Sequence, residues 1–133
     1  MANKWEATPF KSPTARVTAL GSAHAGLHHW IHQRVTALAN IPLVLWAVWS
    51  ALTMAAAGGN YDIIRGFFAQ PVNAVLMILF LTSIFYHAAL GLQVVIEDYF
   101  HGGKSKLFLL IAVKLGLFAL GLASVFSVLK LAL

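Results

Sequence analysis

Phe85-Tyr86-His87-Ala88-Ala89-Leu90-Gly91-Leu92-Gln93-Val94-Val95-Ile96-Glu97-Asp98-Tyr99 closes an apolar run that begins at Pro71. Between Pro71 and Ile96 no Asp, Glu, Lys or Arg interrupts, and the one side chain that ionises near neutral pH is His87. A helix needs about 20 apolar residues to cross roughly 30 Å of hydrocarbon, so this run is long enough to span a membrane. A histidine far from both ends of such a span is costly unless it pairs with something, which marks His87 as a functional-site candidate.

Working outward, the chain has two more runs of this kind. Hydrophobic residues make up 60% of the 133 and charged residues only 10%, a balance outside that of ordinary soluble domains. The fold class expected is an all-α membrane protein with three transmembrane helices and a cytoplasmic N-terminus, packed against a partner subunit. Its segments are 1–34, a cytoplasmic N-terminal stretch; 35–57, the first span; 58–70, a periplasmic loop; 71–96, the second span; 97–106, a cytoplasmic loop; and 107–131, the third span. This leaves no room for a separate soluble catalytic domain.

Composition excludes several chemistries. With no cysteine there are no disulfides, thiolate zinc or iron–sulfur sites, or covalently attached c-type haem. The net charge of +5 comes from nine Lys and Arg distributed around the spans, a pattern that reports membrane topology rather than nucleic-acid binding. Lys4, Lys11, Arg16 and Arg34 precede the first span and Lys104 and Lys106 follow the second, whereas the first loop offers Arg65 and the C-terminal end Lys130. The positive-inside rule therefore puts the N-terminus and the second loop in the cytoplasm.

Other local features refine this picture. The first run starts too late, and is too long, for a signal peptide, although Ala55-Ala56-Ala57 mimics a cleavage site. Trp30 and Arg34 suit an interfacial belt. His24, His28, His29 and His32 cluster nearby, with His28 and His32 at a spacing that permits metal binding, but no carboxylate or thiolate accompanies them. Pro42 lies in the early turns of the first span, and Pro71 takes the first-turn position where proline is best accepted. In the third span Ala112, Gly116, Ala119, Ala123 and Ser127 form a small-residue stripe that admits another helix closely, from this chain or from a partner. Lys114 snorkels towards the loop.

Helical geometry returns to nearly the same direction after 11 residues, so His87 and Asp98 share a face, roughly 16 Å apart along it. Gly91 leaves that face bare one turn beyond His87. A flat ligand beside the imidazole, such as a haem bound axially through His87, suits the pattern. A stable b-type site needs a second axial ligand, which a partner subunit would supply. Equally open are a His87 that merely hydrogen-bonds a neighbouring helix and one that relays protons. Asp98 and Tyr99 read either as an interfacial anchor or as polar contacts for a quinone head, whose carbonyl needs a donor such as a tyrosine hydroxyl.

Read as H-x3-G-x6-D-Y, the segment from His87 to Tyr99 resembles the signature of the hydrophobic membrane-anchor subunits of succinate dehydrogenase. His29-Trp30-Ile31-His32-Gln33-Arg34-Val35-Thr36-Ala37 is similar to the entry of that family's first span, and the likeness extends from about Leu27 to Leu131. The resemblance implies an inner-membrane anchor of respiratory complex II that contributes nothing to succinate chemistry. It implies a haem b shared with a second haem-binding anchor subunit, with His87 as the axial ligand to the iron. It also implies ubiquinone as substrate, with Tyr99 donating to it and Asp98 supporting that site. Arg34 is then a partner for a haem propionate or part of the quinone pocket, an interfacial anchor being the alternative. An iron–sulfur subunit and a flavoprotein subunit complete the expected complex. Two other readings remain: the anchor of a fumarate reductase, and a small haem-free proton-conducting or assembly subunit.

Overall fold

A computed structural model describes residues 24–133, which form four helices: α1 (His24–Ala56), α2 (Tyr61–Phe68), α3 (Pro71–Tyr99) and α4 (Gly103–Ala132). The basic residues Lys4, Lys11 and Arg16 lie outside the described residues. By contacts the chain divides into Met1–Trp30 and Ile31–Leu133, and of the first unit only the opening turns of α1 are described.

α1, α3 and α4 are each long and apolar enough to cross a membrane. Each helix overshoots the span read from hydropathy, because backbone hydrogen bonding continues past the edge of the apolar run. α1 is 33 residues long, about 50 Å at 1.5 Å per residue, well beyond a hydrocarbon core of about 30 Å. Its histidine-bearing turns therefore continue the helix instead of preceding it, and Pro42 stands in its middle rather than its early turns.

The α1–α2 turn follows from two glycines. Gly58 and Gly59 have φ of +110° and +61°, a region open to few other residues, and the Gly59 N–H donates to the Met54 carbonyl at 2.9 Å to close the helix end. Asn60 caps α2 by accepting from the Ile63 N–H at 3.0 Å. The segment expected as a loop is thus largely a short amphipathic helix. Ile63, Ile64, Phe67 and Phe68 turn inward while Asp62, Arg65 and Gly66 stay exposed. Asn73 then donates to the Phe67 carbonyl at 3.0 Å, tying the end of α2 to the first turn of α3.

What core the chain has lies at this end. Phe68, Ala74 and Val128 are buried together, flanked by Ile64, Met77, Ile78 and Leu131, so α2, the start of α3 and the end of α4 meet there. Phe67 packs edge-on to Phe68 and lies 6.1 Å from the Trp46 ring of α1. At the opposite end of α3, Lys106 Nζ donates to the Glu97 carbonyl at 2.8 Å and pins the start of α4. A lysine at a helix C-terminus also complements its dipole.

α3 and α4 run antiparallel and approach closely at Gly121, where an added Cβ would meet the Phe85 ring at 3.3 Å. Gly121→Leu is therefore expected to force these helices apart, at a cost of about 1–3 kcal/mol as for other overpacked sites. Earlier thermal dissociation of the purified protein would register the change. The face that α4 turns towards α3 carries Val113, Leu117, Gly121, Ser124 and Val128. The small-residue stripe Ala112, Gly116, Ala119, Ala123, Ser127 is exposed instead, and Gly116 has nothing within 4 Å. Of the two occupants that the stripe permitted, this chain's own helices are not the one used.

Candidate functional site

His87 is half-buried on α3 and faces α1. Its Nδ1 lies 3.0 Å from Thr36 Oγ1. The single hydroxyl proton of Thr36 is already committed to the backbone, donated to the His32 carbonyl at 2.7 Å or the Gln33 carbonyl at 3.2 Å. In that arrangement Thr36 Oγ1 accepts from the imidazole and the ring proton sits on Nδ1. On the other side of the ring the Gln33 amide Nε2, a donor, lies 3.4 Å from His87 Nε2. Both contacts fit one tautomer: Nδ1 protonated, Nε2 carrying a lone pair.

Gly91 lies against the same amide, and a Cβ at that position would come to 3.4 Å of its nitrogen, the near edge of ordinary contact. The Gln33 bond to His87 is long, and Gln33 Oε1 is buried without a hydrogen-bond partner. Asn40 Oδ1 on α1 and Ser83 Oγ on α3 are likewise buried and unpartnered. One turn before His87 and one turn after Thr36, they extend the polar seam along the same two helices.

Gln33 and Thr36 are the residues that sequence reasoning missed as contacts of His87. The signal was present: Gln33, Thr36 and Asn40 stand at i, i+3 and i+7 on a largely apolar helix, so they share a face. Nearby, His32 Nδ1 and the Tyr86 hydroxyl are hydrogen-bonded across 2.7 Å, with the two rings tilted 53° to each other. His87 is thus not alone at its level along the bundle, contrary to the expectation from sequence. The reason is that α1 is already helical at His32, so that this side chain lies beside Tyr86 of α3. No group of three or more metal-ligating side chains occurs among the described residues.

Asp98 and Tyr99 occupy the last turn of α3, and both are exposed, Tyr99 by 78%. They lie 11 and 12 residues beyond His87, about 16–18 Å along the helix, so the structure does not bring them into one site with the imidazole. Glu97 between them and the seam is engaged by the Gln93 amide at 2.7 Å. Arg34 is exposed on the turn of α1 that carries Gln33 and Thr36.

A cavity of about 430 Å³ opens between α3 and α4, lined by Phe85, Tyr86, Leu117, Phe118 and Leu122, with Lys114 at its polar end. It lies on the other side of α3 from the Thr36–Gln33 seam.

Residues 8–123 match the family model described as succinate dehydrogenase/fumarate reductase transmembrane subunit. A protein of Rickettsia bellii named succinate dehydrogenase hydrophobic membrane anchor subunit is 37% identical over 80% of this chain and 83% of its own length. A protein of the same name from Rickettsia conorii is 35% identical over 80% of this chain and 83% of its own length. One from Paracoccus denitrificans is 29% identical over 92% of each chain. No solved structure matches this chain.

Proposed function

The chain belongs to the family of succinate dehydrogenase/fumarate reductase transmembrane subunits, and on that footing we propose that it anchors a succinate:quinone oxidoreductase in the inner membrane. It holds one side of a haem b and contributes to the site where ubiquinone is reduced. Flavoprotein and iron–sulfur subunits carry out succinate oxidation, and a second anchor subunit supplies the other axial ligand. The N-terminus and the α3–α4 turn face the cytoplasm, as the distribution of Lys and Arg requires.

The observation that carries this reading is the setting of the His87 imidazole, with Thr36 Oγ1 at 3.0 Å from Nδ1 and the Gln33 amide at 3.4 Å from Nε2. The imidazole offers Nε2 as a lone-pair donor, with Nδ1–H engaged by Thr36, which is the form in which histidine binds a metal. The long Gln33 contact and the orphaned Gln33 Oε1 make the Nε2 side the weakly held one, so this donor set fits a haem iron. When bound, the haem would supply a one-electron couple. Arg34 offers a guanidinium to a propionate or to the quinone pocket. Tyr99 donates its hydroxyl to a quinone carbonyl, and Asp98 keeps a carboxylate there for the proton supply.

A complex purified through a tag on this chain is expected to show a b-type band in its reduced-minus-oxidised spectrum and to reduce quinone with succinate. An assembled complex without that band would leave His87 as a structural residue. One observation favours such a haem-free subunit: His87 already has partners on both ring nitrogens within the chain. A fumarate-reducing enzyme is the other member reading that the family description admits, and the quinone that copurifies decides between the two directions.

A further inference from the structure

We infer that Thr36 is a positioning residue that fixes the tautomer and the donor strength of His87, and thereby tunes the reduction potential of the haem that His87 holds. The inference rests on the haem-binding reading above and goes beyond it by assigning a role to a hydroxyl on a different helix.

The geometry is a relay of hydrogen bonds with one direction. The Thr36 O–H is directed at a backbone carbonyl one turn earlier, at 2.7 Å for His32 and 3.2 Å for Gln33, as threonines within helices commonly do. Its oxygen lone pairs are left facing His87 Nδ1 at 3.0 Å. Because the carbonyl polarises the hydroxyl, the oxygen becomes a better acceptor for the imidazole N–H. An imidazole whose N–H is held by a good acceptor pushes more electron density onto its other nitrogen, and such outer partners orient the ring and raise ligand basicity. Greater donation from Nε2 stabilises ferric over ferrous iron. Thr36 therefore holds the potential of the couple down.

A second contact is compatible with the same assignment. Gln33 presents an N–H, not a carbonyl oxygen, to Nε2, with its own Oε1 buried and unpartnered. Asn40 and Ser83, the polar side chains one turn away on each helix, make no bond to His87 and cannot replace Thr36.

The test is an optical redox titration of the haem in the purified complex, comparing wild type with Thr36→Val, Thr36→Ser and Thr36→Ala. Valine keeps the branched shape and loses the acceptor, serine keeps the acceptor. Thr36→Val and Thr36→Ala should retain the b-type band with a more positive midpoint, raising the reduced-to-oxidised ratio at the wild-type midpoint about tenfold, a size typical of lost outer-shell partners. Thr36→Ser should restore the wild-type value. A fully loaded Thr36→Val complex with an unmoved midpoint would reduce Thr36 to a packing contact, while the haem reading stood. A wild-type complex without haem would overturn both.

Discussion

His87→Ala is expected to remove the b-type band from the purified complex entirely, with the subunits still assembled. The two halves of that expectation have different causes. Loss of the haem follows because alanine has no donor atom, and Gln33 and Thr36, the two groups nearest the imidazole nitrogens, carry an amide and a hydroxyl that bind haem iron poorly. Survival of the assembly follows from magnitudes: hydrogen bonds between membrane helices average about 0.6 kcal/mol, with a maximum near 1.7. Losing two of them loosens the α1–α3 seam without dissolving it, and the packing around Phe68, Ala74 and Val128 lies several turns away. Difference spectra together with gel filtration of the variant read both halves at once. A variant that assembles and keeps a full, unshifted band would remove His87 from the haem site.

Tyr99→Phe is expected to lower succinate-dependent quinone reduction about ten- to a hundred-fold while leaving the haem spectrum as in wild type, the range that a lost donor to a developing charge of about 1.5–3 kcal/mol yields. Separation makes the two readouts independent, since Tyr99 is about 18 Å along α3 from His87. Exposure makes the substitution structurally mild: the Tyr99 side chain is 78% exposed and has no role in the packing of α3 on α4. Steady-state kinetics with a short-chain quinone, alongside succinate oxidation by a soluble dye acceptor, separates damage at the quinone site from damage upstream. Unchanged quinone kinetics would take Tyr99 out of the site.

The three membrane-length helices and the singling out of His87 on the second were legible because they depend on run length and on the rarity of ionisable groups within a run, both one-dimensional properties. Which way each helix faces was not. α3 and α4 are apolar on all sides, since lipid and neighbouring helices are equally greasy, so periodicity carries no direction there. For that reason the stripe Ala112 to Ser127 could be placed outside the α3–α4 contact only once α4 was seen to use Val113, Leu117 and Gly121 against α3. α2 is the converse case. Its polar Asp62 and Arg65 alternate with Ile63, Ile64, Phe67 and Phe68 at helical spacing, a signal strong enough to read, but eight residues between two glycines and a proline pass easily for a loop. The Thr36–His87 contact needed the pairing of two helices distant in sequence, which no spacing within either one encodes.

Among the described apolar residues, few are buried within the chain: Phe68, Ala74, Ile96 and Val128. In lipid the aqueous hydrophobic term does not operate between helices, so such a chain draws little cohesion from itself. Its persistence is then a matter of mass action. Any subunit that binds the folded chain and not the unfolded one stabilises it in proportion to the logarithm of its free concentration, by about 2.7 kcal/mol at a hundredfold excess over Kd. For a chain so anchored in a complex, the supply of companion subunits would cap the amount of mature protein, and surplus copies made without them would be the fraction most open to turnover.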